Sequence, residues 1–189
     1  MPDPGLDPPI HVDWVEQALL GDRLPGRLGL TILPGKRGKS VRYPGLVYRR
    51  DARTDLERLR EMGVGLLALL VEDWEIARWG DSALVEHAAA VGISVVRLPI
   101  PDGEAPRSVT SVDELLAAIA AARAETDVVV ACMGGIGRSA TIAACGLVAA
   151  GVSPDRAIAH LRDVRHPTAV ETRAQAAFVA AYAMDMENR

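Results

Sequence analysis

The segment that most restricts the fold is Asp127 to Ser139, DVVVACMGGIGRS. Its Val128-Val129-Val130 run has no polar alternate, so the strand it forms has no solvent face and belongs at the centre of a sheet covered on both sides. Arg138 to Ala150 is apolar nearly all round, which marks a buried helix. The residues between them therefore sit at the carboxyl end of a central strand, where open α/β sheets place their sites. The chain before this segment repeats the alternation. Leu28 to Leu33 and Leu46 to Tyr48 read as short strands around a loop from Pro34 to Ser40. Asp55 to Met62 reads as a helix, Val64 to Val71 as a strand, Ser82 to Val91 as a helix and Ile93 to Leu98 as a strand. This order implies an α/β fold, a central mainly parallel sheet flanked by helices.

Past a proline-rich loop, Pro99 to Pro106, Ser111 and Glu114 have the spacing of a capping box, expected to open a helix through Leu115, Ile119 and Ala122. Ser153 with Pro154 starts another helix, and Glu171 to Met184 reads as the last. Residues 1–24 read as a proline-rich arm with one short helical pattern at Val12, Val15, Leu19 and Leu20. Residues 25–187 are expected to form one domain.

Three physical features converge after the central strand. Gly134, Gly135 and Gly137 let the loop turn its backbone N–H groups inward as a nest for an anion. A helix beginning near Arg138 adds the positive end of its dipole. The planar fork of Arg138 can grip two oxygens of a phosphate, which lysine could not reproduce. Cys132 lies in this field, and a thiol beside a helix N-terminus and a guanidinium can fall well below its reference pKa of ~8.5. A thiolate at neutral pH in a phosphate-shaped nest is a nucleophile aimed at phosphorus. Cys132 and Arg138 are thus candidate catalytic residues, and Met133, Gly134, Gly135, Ile136, Gly137 and Arg138 the candidate phosphate site.

Composition narrows the remaining classes. At 189 residues the chain buries enough surface to need no disulfide or metal staple, so its two cysteines are free for chemistry. Cys145 falls about 10 Å along the buried helix, beyond the ~7 Å reach of a disulfide, and is expected in the core. A net charge of −4 with 4% aromatic residues argues against nucleic-acid binding. His11, His87, His160 and His166 show no metal-ligand spacing, so neither metal nor cofactor is expected. The longest uncharged stretch, Val128 to Gly137, is too short to span a membrane. The opening MPDPGLDPPI has none of the features of a secretory signal, and a cytoplasmic location is expected.

At Cys132, Gly135, Arg138 and Ser139 the sequence resembles the cysteine-dependent protein phosphatases, whose signature is HCxxGxxR followed by Ser or Thr. The likeness extends through Leu28-Gly29-Leu30, Leu33-Pro34-Gly35, Pro99-Ile100, Asp102-Gly103, Ser153-Pro154, Leu161 to Arg165 and Ala169 to Thr172 with Gln175. It is closest to the kinase-associated, dual-specificity branch of cyclin-dependent kinase inhibitor 3. The resemblance implies the compact dual-specificity fold and a two-step hydrolysis of a phosphorylated protein or peptide through a phosphocysteine. It implies that Asp102 is the general acid, with Glu104 second, that Ser139 donates to the departing thiolate, and that Gln175 helps place the water. An ordinary turn aspartate and a helix-surface glutamine are the plain alternatives for Asp102 and Gln175. His166 could approach the pocket. Positions 133–137 carry no lysine or arginine, which suits a monophosphate and a shallow pocket taking phosphotyrosine and phosphothreonine or phosphoserine, with Tyr43 or Tyr48 as a wall.

One position departs from the signature: Ala131 stands where the family has histidine, which implies a higher Cys132 pKa than in relatives that keep it. A phosphatase of small-molecule or lipid monoesters and a rhodanese-like sulfurtransferase remain as alternatives. An arsenate reductase would carry its Cys-loop near the N-terminus, and a non-catalytic phosphopeptide-binding module would lack Cys132 or Arg138.

Overall fold

The structure, a computed structural model, describes residues 7–21 and 23–189; the first six residues and Asp22 of the expected arm lie outside them. Strands β1 (Asp13–Trp14), β2 (Leu28–Ile32), β5 (Val64–Leu69), β6 (Ser94–Arg97) and β7 (Asp127–Cys132) form one sheet, while β3 (Arg37–Lys39) and β4 (Val47–Arg49) pair as a separate ribbon. The order in the sheet is β1-β2-β7-β5-β6, with β1 antiparallel and the other pairings parallel. As the valine run requires, β7 is the middle strand, and Val128, Val129, Val130 and Ala131 are all fully buried.

The helices are α1 (Ala52–Glu61), α2 (Asp73–Trp79), α3 (Leu84–Ala90), α4 (Val109–Arg123), α5 (Arg138–Ala149), α6 (Pro154–Val164) and α7 (Arg173–Glu187). Helix α5 packs on β7 and β2 and is surrounded by α4, α6 and α7, which is why it is buried almost throughout. Helices α1 and α3 pack together against β5 and β6.

Three local expectations are corrected, and one element is added. The helical pattern at Val12, Val15, Leu19 and Leu20 is instead edge strand β1 and a single 3-10 turn, Gln17–Leu20. Pairing with β2 leaves Val12 and Val15 buried. Helix α4 begins at Val109, ahead of Ser111, because Ser108 caps it and accepts from the Ser111 backbone N–H. Residues 34–40 contain β3, whose Arg37-Gly38-Lys39 sequence has no apolar alternation to reveal it. Helix α2 was not legible as an element; a capping box between Glu72 and Glu75 starts it.

The parallel pairing carries the functional consequence. It sets the ends of β2, β5, β6 and β7 along one edge, so Lys36, Glu75, Asp102 and the Cys132 loop, each shortly after a different strand, meet there.

Candidate active site

The loop from Cys132 to Arg138 folds as a nest because the four carbonyls of Gly134 to Gly137 are each engaged away from the sulfur. Arg165, just past α6, donates to the Gly134 oxygen at 2.8 Å and the Gly135 oxygen at 2.9 Å, and is itself paired with Asp13 of β1. The Ile136 oxygen accepts from the Val170 N–H at 3.1 Å, and the Gly137 oxygen from Thr141. With the carbonyls drawn outward, N–H groups face the sulfur: Gly135 N–H donates to Cys132 Sγ at 3.2 Å. Glycine is obligatory at Gly135, and at Gly137 a side chain would have to push neighbouring side chains aside. Gly135 has φ +67° and a Cβ there would lie 2.3 Å from the Thr31 oxygen. One on Gly137 would lie 2.4 Å from a Glu171 carboxylate oxygen.

Cys132 is buried, and burial alone would favour the neutral thiol. The Arg138 charge, the Ser139 hydroxyl and the Ser139 and Gly134 N–H groups outweigh it and hold the pKa below the ordinary thiol value. Ser139 Oγ is itself buried with no partner at full hydrogen-bond geometry, so its contact with the sulfur is the weaker kind. Cys145 is free, and burial pushes its thiol up, in keeping with a core role. Ala131 leaves the sulfur without the neighbouring imidazole. Ala131→His is therefore expected to move the midpoint of Cys132 alkylation to lower pH; an unchanged midpoint would show that an imidazole there does nothing.

Arg138 is buried and held on three sides. Its Nη1 and Nη2 reach Glu75 Oε2 and Oε1 at 2.7 and 2.9 Å, Nη1 also donates to the Ile100 oxygen at 2.8 Å, and Nη2 lies 3.0 Å from Asp102 Oδ1. Burial opposes the guanidinium charge, but Glu75, Cys132 and Asp102 together raise its pKa further. Glu75 went unrecognised in the sequence; its one local signal is the capping box with Glu72.

The Asp102 side chain is 75% exposed and its loop is tied to the start of α7. Thr172 Oγ1 donates to the Gly103 oxygen at 3.0 Å and Gln175 Nε2 to the Glu104 oxygen at 3.1 Å. Gln175 is buried, not a surface glutamine, and its Oε1 accepts from the Glu171 and Thr172 N–H groups. Glu104 itself is exposed and outside the cavity lining.

A cavity of about 500 Å³ opens over the loop. Met133, Gly134, Ile136 and Asp102 line it, whereas Cys132 and Arg138 are buried behind that lining. Tyr43 and Tyr48 form part of its wall as expected, joined by Trp74 and Trp79. His166 does reach the cavity, with Nε2 3.2 Å from the Tyr43 hydroxyl. Desolvation and then Arg42 and Arg165 lower its pKa, keeping it neutral near pH 7.

A buried cysteine in an amide nest, with an arginine locked beside it and an exposed carboxylate on the neighbouring loop, is the arrangement of a cysteine-dependent phosphatase, and the comparisons place it in the dual-specificity class. The chain belongs to the cyclin-dependent kinase inhibitor 3 (CDKN3) family, whose model matches residues 4–158. Cyclin-dependent kinase inhibitor 3 of Rattus norvegicus is 31% identical over 167 residues, covering 87% of this chain and 74% of the relative. The Homo sapiens protein is 28% identical over 166 residues, with the same two shares, 87% and 74%. Kinase associated phosphatase (KAP), solved with serine in place of its catalytic-site cysteine, matches with a TM-score of 0.83 at 26% identity, covering 97% of this chain and 99% of that one. Tk-PTP in its active form gives 0.68 at 28% identity, over 85% and 94% of the two chains.

Proposed function

We propose that the chain hydrolyses phosphotyrosine and phosphothreonine or phosphoserine on phosphorylated proteins through a phosphocysteine. The observation that supports this best is the Cys132 sulfur, favoured as thiolate inside a ring of N–H groups. In the first step a thiolate lone pair forms the S–P bond while the P–O bond to the leaving oxygen breaks, and the Asp102 carboxyl gives that oxygen its proton. In the second, Asp102 takes a proton from water, the water oxygen attacks phosphorus, and the S–P bond breaks with its electron pair returning to Cys132. Ser139 donates to the departing thiolate. Arg138 and the N–H groups of Met133 to Gly137 hold the equatorial oxygens throughout. Gln175 is assigned to placing the water; its remaining Nε2 hydrogen is the group available for it.

The donors of Arg138 bear on where Asp102 stands once phosphate binds. A guanidinium has five N–H groups. Two go to Glu75 and one to Ile100, and Asp102 sits beside another on Nη2. A phosphate gripped through Nε and Nη2 therefore displaces Asp102 from Nη2. The displaced carboxyl is then free to turn to the leaving oxygen, to which it gives its proton in the first step.

Leaving-group dependence tests the assignment. Asp102→Asn is expected to lower kcat about 10²-fold on an alkyl phosphate, within the usual range for a general acid, and far less on a nitrophenyl phosphate, whose phenoxide leaves unaided. An equal loss on both, or none, would overturn the role of Asp102; a wild-type protein that hydrolyses neither would overturn the function.

A further inference from the structure

The chain contains two lysines, Lys36 and Lys39, and both line the catalytic cavity. Lys36 follows β2 and is 9% exposed. Its Nζ lies 4.0 Å from the centre of the Tyr48 ring, and among the described residues neither lysine side chain has a carboxylate or hydrogen-bond partner. The other cations of this wall differ: Arg42 is paired with Glu171 and Arg165 with Asp13. Burying an ammonium without an anion is unfavourable. Desolvation accordingly lowers Lys36 to about 8, against the charges of Cys132 and Asp102, which raise it. In a chain of net charge −4, two lysines with no direct carboxylate contact beside the phosphate nest are a place prepared for a second anion.

We propose that Lys36, with Lys39 beyond it, forms a second anion subsite in the wall of the cleft, which recognises an acidic group on the substrate next to the phosphomonoester being hydrolysed. The group is a carboxylate or a second phosphate on a peptide. A peptide fits the surroundings, since Val41, Tyr43 and Trp74 present exposed apolar surface along the same cavity, suited to side chains flanking a phosphorylated residue. The subsite rests on the assignment of this cleft as the phosphatase site.

The test compares three phosphopeptides identical except for the neighbouring residue, glutamine, glutamate or phosphothreonine, alongside a nitrophenyl phosphate and an inositol bisphosphate. Wild-type kcat/KM is expected to be about tenfold higher for the two acidic peptides than for the glutamine peptide, the scale of one charge-assisted contact. Lys36→Met should bring that ratio close to one, Lys36→Arg should keep it, and Lys39→Met should reduce it in part. A gain with phosphothreonine alone would assign the subsite to a second phosphate. Equal kcat/KM for the three peptides in wild type overturns the subsite while leaving the phosphatase reading intact, and this comparison holds even if Lys36→Met fails to fold. Preference for the inositol bisphosphate without any peptide preference overturns the peptide assignment. Loss of all hydrolysis, the nitrophenyl ester included, removes the underlying reading and the subsite with it.

Discussion

Cys132→Ser is expected to lower kcat on a nitrophenyl phosphate by about 10⁴-fold or more while leaving phosphopeptide affinity equal or tighter. The loss follows from ionisation. The nest and Arg138 stabilise an anion at position 132, and for a thiol that already starts near neutrality this shifts the balance toward thiolate. A serine hydroxyl ionises so much higher that the same field leaves it neutral. Binding should survive because the groups that hold phosphate are the loop N–H groups and Arg138, all anchored from outside. Removing the thiolate also removes a negative charge from beside the phosphate dianion, so the sign of any affinity change is toward tighter binding. The structural match to a relative with this same cysteine-to-serine change shows that the fold accommodates it there. Calorimetric titration with a phosphopeptide, paired with steady-state kinetics, reads both quantities. Retention of more than a few per cent of wild-type kcat would remove the phosphocysteine from the mechanism.

Glu75→Ala is expected to cost about 3–5 kcal/mol of stability, the usual result of stripping the partner from a buried charge, and to depress kcat about 10²–10³-fold. Both carboxylate oxygens of Glu75 bind the guanidinium of Arg138, and Oε2 also accepts from the Glu72 N–H that opens α2. Without the carboxylate, Arg138 loses its one buried carboxylate partner and its fixed plane. For a domain of this length the melting temperature should fall by about 10 °C. Glu75→Gln separates positioning from folding. It keeps the shape, the cap and one acceptor for Arg138, so it should recover most of the stability and only part of kcat, with KM little changed. Recovery of kcat in step with melting temperature across the two variants would mean that Glu75 acts on stability alone.

The legible parts of this molecule are those written in local pattern. The valine run, the glycines and the apolar helix fixed β7, the Cys132 loop and α5 because strand burial, loop curvature and helix burial each leave a short-range signature. Asp102 was found only through resemblance, since a Pro-Asp-Gly turn is common. Glu75, Arg165 and Lys36 could not have been found this way. Each is a charged residue of the kind that ordinarily faces solvent, and its burial is decided by which strand ends the sheet brings together. Arg138 needs a carboxylate partner, but with 25 acidic residues in the chain nothing local says which one. The N-terminal pattern failed for a related reason. Val12 and Val15 are three apart and mimic a helical face, while the β2 edge offers the segment a strand to pair with.

The outward grip on the four loop carbonyls has a thermodynamic meaning beyond geometry. A stretch with three glycines in four residues, Gly134 to Gly137, has more conformational freedom in the unfolded chain than almost any other sequence. Arg165, Val170 and Thr141 remove that freedom as the protein folds, before any phosphate is present. Binding an oxyanion then orders nothing further in the loop, so its association should carry little conformational entropy penalty, and structurally different tetrahedral anions should occupy one unchanged loop.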